Sequence, residues 1–388
     1  MKKRGLLSAL AIGAGIMTFA GNEAFADCKK QCPKMQNCAM KATVEKLECG
    51  GSYFMVSDID MFGKQLKNIL SGYAGQLKPQ EAMTMNMVVG ILGQVCDYIG
   101  VSDIKSVGQS STVLGKSADG SNFVFHNRLV ITTDPAKKFP LILQLTQGEN
   151  ISLQQFAAAV PDNAVSAGVF SLDASKLLDA LKKQTIAPIP ADIFDGMKQE
   201  LGMSAEELAA AVSGKIQVIL WEPANAKKPM PIAAVKITDN GNKVFALICK
   251  NLGMDPATAN KVVLPIPPEC PVEICKNGNT LEIYIGKGTA EMLSAKLAAK
   301  QTVANDPAFK LMTQKIPAEA QSYGFTTKNF NRRGLCSVSA WSFEKNSVVL
   351  YSNGYYDWNG MPIAFMLNIA SEMTKNPEMI QMFKKIIR

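Results

Sequence analysis

Three cysteines fall within eleven residues near the start of the chain, in ADCKKQCPKMQNCAM, as Cys28, Cys32 and Cys38, and Cys49 follows closely. Thiols at this density can hold zinc, run a redox cycle or staple a segment. Structural zinc sites usually repeat a pair of cysteines about two to four residues apart. Cys28 and Cys32 form one such pair, and Cys38 and Cys49 do not make a second. A thioredoxin-like site needs Cys-x-x-Cys, which occurs nowhere in the chain. Staples remain. In an oxidising compartment Cys28, Cys32, Cys38, Cys49, Cys270 and Cys275 are expected to form disulfides. Nine cysteines is an odd number, so one at least stays unpaired in a monomer or pairs between chains. The pairing pattern is open.

Other residues could also do chemistry. Catalysis by a Ser–His or Cys–His pair would have to use the single histidine, His126, in NFVFHNRLV. Phe123, Phe125 and Leu129 alternate on one face of this expected strand, and Val124, His126 and Arg128 share the other. No Gly-x-Ser-x-Gly elbow accompanies it, so His126 reads as a surface or interface residue. IYIGKGTAEML imitates a phosphate loop, but Gly288 follows Lys287 where a Walker loop needs Ser or Thr. A tight turn with Thr289 capping the next helix is the expectation. Ser57, Asp58 and Asp60 bring two carboxylates together at strand spacing. Two ligands do not make a divalent-ion site, and a helix N-cap is the expected use, as it is for Asp173. Thioethers suit Cu(I), and Met83, Met85 and Met87 form one soft group while Cys32, Met35, Cys38 and Met40 form another. The competing reading packs Met83 and Met87 into the core on one helical face. No catalytic residue, cofactor site or metal site is assigned.

The elements that would position these groups begin after an export signal. Lys2, Lys3 and Arg4 precede an apolar run from Gly5 to Ala20, and Ala24-Phe25-Ala26 offers a small-x-small cleavage site before Asp27. The run is short of the ~20 residues that span a bilayer. Asp27 before Cys28 speaks against a lipid anchor. The expected product is exported to the periplasm or cell envelope and is not membrane-spanning after cleavage. The chain carries +8, and losing three positive charges and one negative with the signal leaves +6. The lysines are scattered and no basic stripe forms, so nucleic acid is not an expected partner.

One internal match organises the rest. Pro161-Asp-Asn-Ala-Val-Ser-Ala-Gly168 and Pro317-Ala-Glu-Ala-Gln-Ser-Tyr-Gly324 share Pro-x-x-Ala-x-Ser-x-Gly before an apolar segment, and a looser copy starts at Gly51. Helical stretches and a strand pair follow the starts at Gly51 and Pro161, the latter with SKLLDALKK, SAEELAAAV, GKIQVILWE and PIAAVKITD, whereas only a hairpin pattern follows Pro317. Asp119-Gly120 and Asn277-Gly278 mark hairpin turns. Asp306-Pro307 and Asn376-Pro377 mark helix starts. The expected fold is α+β, an antiparallel sheet or sheets with helices on one face, built from two similar units and a truncated third. The expected organisation is a signal peptide over 1–26, a Cys-rich segment over 27–50, and units over 51–159, 160–316 and 317–388. Whether the units share one sheet is open.

LPIPPECPVEICKNGNTLEIYIGKGTAEMLSAKLAAKQTVANDPAFKLMTQKIPAEAQSYGF and SGKIQVILWEPANAKKPMPIAAVKITD resemble bacterial exported proteins of domain-of-unknown-function family 3352. The resemblance covers residues 160–370, and its motifs belong to the scaffold. It implies an envelope-associated protein and brings no functional residues with it. The expected function is a non-enzymatic binding or scaffold protein for an envelope protein, an envelope component or an apolar ligand. The rival readings are a carboxylate-based hydrolase and a copper-binding protein.

Overall fold

The computed structural model describes residues 39–59, single positions of a helix between 79 and 94, 103–117, 122–134, 141–183, 191–222, 232–264, 270–327 and 337–355, with a few isolated loop positions. The export signal, Cys28, Cys32, Met35, Cys38, Asp60 and the helix start at Asn376 lie outside the described residues.

Alternating apolar and polar residues make the strands, and local turn chemistry folds them into hairpins. β1 is Tyr53–Asp58, β2 Ile104–Lys116, β3 Phe123–Thr133 and β4 Ile151–Ser152. β5 is Ser166–Leu172, β6 Gly214–Trp221, β7 Ile232–Thr238, β8 Lys261–Leu264, β9 Val272–Asn277 and β10 Thr280–Ile285. β11 is Glu319–Ala320, β12 Ser322–Thr326, β13 Ser337–Glu344 and β14 Ser347–Gly354. The helices are α1 Ala39–Lys46, α2 Leu141–Gln144, α3 Leu153–Ala159, α4 Ala174–Lys183, α5 Ala191–Leu201, α6 Ala205–Val212, α7 Lys243–Asn251, α8 Thr289–Ala298 and α9 Pro307–Met312.

The fold is α+β. Twelve strands form one antiparallel sheet in the order β1-β2-β3-β14-β13-β12-β5-β6-β7-β10-β9-β8, and β4 pairs with β11 beside it. Strands from all three expected units therefore share a single sheet. Gly278 takes φ +57° in the β9–β10 turn, which only glycine adopts without a steric penalty.

Helices α3, α8 and α9 cover one face of the sheet. Phe156, Leu293, Phe309 and Met312 pack there against Val169, Ile219, Tyr323, Phe325, Ala340 and Val349. Phe156 stacks on Tyr323 with ring centroids 5.7 Å apart, and Phe309 meets Phe325 edge-on at 5.6 Å. Each such side chain contributes about 1.5–3 kcal/mol by leaving water. Helix α9 starts as expected: the Asp306 carboxylate accepts from the amides of Ala308 and Phe309, with Pro307 in the first turn. The other face carries two smaller clusters. Phe245 and Cys249 of α7 lie on Val262, Ile274 and Leu281, and Phe139 and Leu143 lie on Val348.

Several sequence expectations change here. Gly288, not Thr289, occupies the cap of α8, and the Thr289 hydroxyl donates to the carbonyls of Ile285 and Gly286. Asp173 does cap α4, accepting from the Lys176 amide at 3.0 Å. Met83 and Met87 are 77% and 60% exposed, so they are not core residues. Cys49 and Cys275 are half-buried free thiols. Five residue steps of mostly extended chain lead from Cys270 to Cys275, roughly 16 Å at the rise of a strand. A disulfide needs Cα atoms within about 7 Å, so these two do not pair with each other.

Helix α1 docks on the main face through hydroxyls. Thr43 bonds Ser106 at 2.5 Å and Thr132 at 2.7 Å, and Thr132 bonds Ser347 at 3.0 Å, all wholly buried. Gly108 makes room beneath: a Cβ there would lie 2.4 Å from Thr43 Cγ2 and 2.7 Å from Leu47 Cδ1. Gly108→Ala is expected to lift α1, lowering stability by about 1–3 kcal/mol. Urea unfolding measures the loss, and limited proteolysis should cut sooner between residues 39 and 51. Unchanged proteolysis would refute this account of the docking.

Candidate functional site

The most heavily built polar cluster lies where β3, β14, the end of α1 and the segment after α9 meet. Strand β3 alternates as its sequence predicts, but the covered face is the one bearing His126. His126 is wholly buried, whereas Phe123 on the opposite face is 51% exposed. The expected surface histidine is thus a core residue, because the chain after α1 and the chain after α9 close over that side of the strand.

The hydrogen bonds fix its protonation. Arg128 Nε, always a donor, donates to His126 Nε2 at 2.9 Å. The proton therefore sits on Nδ1, which donates to Asn353 Oδ1 at 2.6 Å. The amide nitrogen of the buried Asn353 donates to the carbonyls of Met312 and Gln314. Both ring nitrogens are committed, so His126 braces its neighbours and has no free lone pair for a substrate proton.

Arg128 spreads the network outward. Its Nη1 donates to the carbonyl of Lys46 at 3.1 Å and its Nη2 to Glu48 Oε1 at 2.9 Å. Its guanidinium lies over the Tyr351 ring, 5.3 Å from the centroid. Glu48 Oε2 accepts from Thr112 Oγ1 and Lys315 Nζ, both at 2.8 Å. Lys46 pairs with Glu344. Glu45, Glu48, Cys49, Thr112, Arg128 and Lys315, with Leu47 beneath, line an open recess of about 570 Å³, and Glu45 is paired with Lys41.

Burial pushes the Glu48 carboxyl up, but the bonds from Lys315 and Thr112 and the charge of Arg128 outweigh it and hold the group below the ordinary carboxylate range. Burial and the Glu344 charge push the Tyr351 hydroxyl up to about 12, against the pull of Arg128. Burial also pushes His126 below its free value, and Arg128 and Lys315 add to that, while Asn353 and Glu48 oppose it. The unfolded chain thus takes up the imidazole proton more readily than the folded one. Stability from this group is complete above the free value of 6.5 and falls as pH drops from there toward the folded value. His126 is the only histidine, so no other side chain has its ordinary titration in that window. The melting temperature should fall between about pH 7 and 5.5 in the native protein, and the slope should flatten in His126→Gln. Equal slopes would refute the assignment.

Among the described residues no group of three or more His, Cys, Asp or Glu side chains could hold a metal ion. Asp58 ends β1 opposite Ser106, and Cys275 lies on β9, near the other end of the strand order. Among the described residues no helix is long and apolar enough to cross a membrane. Glu48, Lys315 and Asn353 carry no local sequence signal. Only Arg128, sharing a strand face with the single histidine, could have pointed here. No family model matches the chain, and neither the curated proteins nor the solved structures give a match.

Proposed function

We propose that the chain is an exported cell-envelope protein that binds rather than catalyses, and that its recess takes the anionic group of a partner. Lys315 carries this reading. Its backbone holds φ +60°, a region that costs a side-chain-bearing residue about 1–2 kcal/mol and glycine nothing. Lys300 and Lys345 adopt positive φ as well, so what distinguishes Lys315 is where its ammonium ends. It is 44% exposed at the mouth of the recess and bonds Glu48. Glu48 keeps Arg128 and Thr112 as donors, so the ammonium can turn to an incoming carboxylate or phosphate without orphaning a buried charge.

Calorimetric titration of tri-glutamate and of pyrophosphate at low ionic strength tests this. Binding should weaken at least about tenfold in Lys315→Met, a loss of ~1.4 kcal/mol. Lys315→Gly, which also relaxes the backbone, should lose binding to the same degree. Binding unchanged in both variants would end the proposal. Export is tested separately: protein recovered from the periplasm should begin at Asp27. An apolar ligand is the second reading, supported by a depression of about 390 Å³ lined by Leu153, Ala157, Ala304 and Phe309. Native mass spectrometry of the purified protein decides it, a ligand-free mass counting against it.

A further inference from the structure

The strand order reads the same outward from its centre in both directions. One side runs β12-β13-β14-β3-β2-β1 and the other β5-β6-β7-β10-β9-β8. At the centre Gly168 faces Gly324, Ser166 faces Thr326 and Ser322 faces Phe170. This is the register of a two-fold axis normal to the sheet. The agreement continues outward. Ala167 faces Ile219 as Tyr323 faces Ala340, and the amides of Val165 and Gln321 reach the carbonyls of Leu220 and Trp341, both at 2.9 Å.

Followed to the fourth strand, the correspondence sets the facing pair Lys236 and Glu282 against the facing pair Asn353 and His126. Tyr284 then stands where Arg128 stands, and each donates to the residue two positions before it. Arg128 Nε reaches His126 at 2.9 Å and the Tyr284 hydroxyl reaches Glu282 Oε2 at 2.6 Å. Each half also clasps one buried carboxylate with a lysine: Glu48 with Lys315 at 2.8 Å, and Glu282 with Lys236 at 2.9 Å. Glu282 has a third donor in Asn277 at 3.3 Å, so it too stays satisfied if its lysine turns away. Lys236 is 29% exposed.

We infer that the sheet is a duplicated six-stranded unit, one copy of it split between the two ends of the chain, and that Lys236, Glu282 and Tyr284 form a second anion-binding site, so that the partner is a linear polyanion engaging both. This rests on the anion-binding reading of the recess. The β3–β14 and β7–β10 pairs lie six strand spacings apart, roughly 29 Å before twist is counted. A flexible polymer that reaches both gains from the second contact at high local concentration.

The test uses the full mature chain at low ionic strength, with tri-glutamate, polyglutamate of about 20 residues, which extends well past the gap, and polyphosphate of similar length. The long polymers should bind at least about tenfold more tightly than tri-glutamate. Lys236→Met should remove that gain, bringing the long polymers down to the affinity that tri-glutamate has for the recess alone. Glu282→Gln, which frees Lys236, should strengthen long-polymer binding, and it keeps the test decisive if Lys236→Met folds poorly. Lys198→Met, at an exposed lysine on α5, should change nothing. Preference between the two polymers identifies a carboxylate or a phosphate source. If long polymers gain nothing, or bind Lys236→Met and Glu282→Gln as they bind the native chain, the second site is refuted while the recess stands. If tri-glutamate ignores Lys315→Met, the recess falls and the second site with it.

Discussion

Replacing Arg128 with methionine should lower the unfolding free energy by about 3 kcal/mol. Methionine keeps the bulk of the side chain, so a cavity is not the cause. What is lost is a set of partners. His126 Nε2 and the Lys46 carbonyl lose their donor, Glu48 loses one of three, and the Tyr351 ring loses its cation. Breaking one side of a buried ion pair costs about 3–5 kcal/mol. Arg128 and Glu48 are each about one-fifth exposed, which places the expectation at the low end. Urea unfolding measures it. A loss under about 1 kcal/mol, the value of an exposed pair, would mean that water already shields the cluster.

The second large effect is expected at Asn353. Leucine there fills the same space and satisfies nothing. His126 Nδ1–H and the carbonyls of Met312 and Gln314 would be left without their partner. The carbonyl of the exposed Gln314 can turn to water, but the buried His126 N–H and Met312 carbonyl each lose a bond worth about 1–3 kcal/mol, so the total should reach about 2 kcal/mol or more. The segment from Met312 to Lys315 should loosen with it, seen as faster amide exchange there than in the β9–β10 hairpin. Exchange that speeds up equally in both places would show a global loss and not the release of one segment.

The hairpins and helix starts were legible because their causes are local. Asn277-Gly278 turns β9 into β10 through one glycine, and Asp306-Pro307 starts α9 through one carboxylate. The site was not legible because its causes are remote. The alternation of Phe123, Phe125 and Leu129 suggested that the aromatic face of β3 was the buried one. What decides burial is which face receives a cover, and here α1 and the chain after α9 cover the side of His126. Met83 and Met87 mislead for the same reason: helical spacing gives a shared face and does not say what that face meets. The expected units divide β1–β3 from β12–β14. The sheet places them side by side, which Pro-x-x-Ala-x-Ser-x-Gly motifs cannot reveal.

That adjacency bears on how the molecule is made. His126 and Asn353 are 227 positions apart, yet they face each other on neighbouring strands. The half-sheet holding them cannot close until nearly all of the chain has been delivered. Contacts this distant in sequence slow folding. If the chain is exported as proposed, delay would be useful: a thread still waiting for β14 would remain unfolded while it crosses the membrane, and the closing of β14 onto β3 would end its journey.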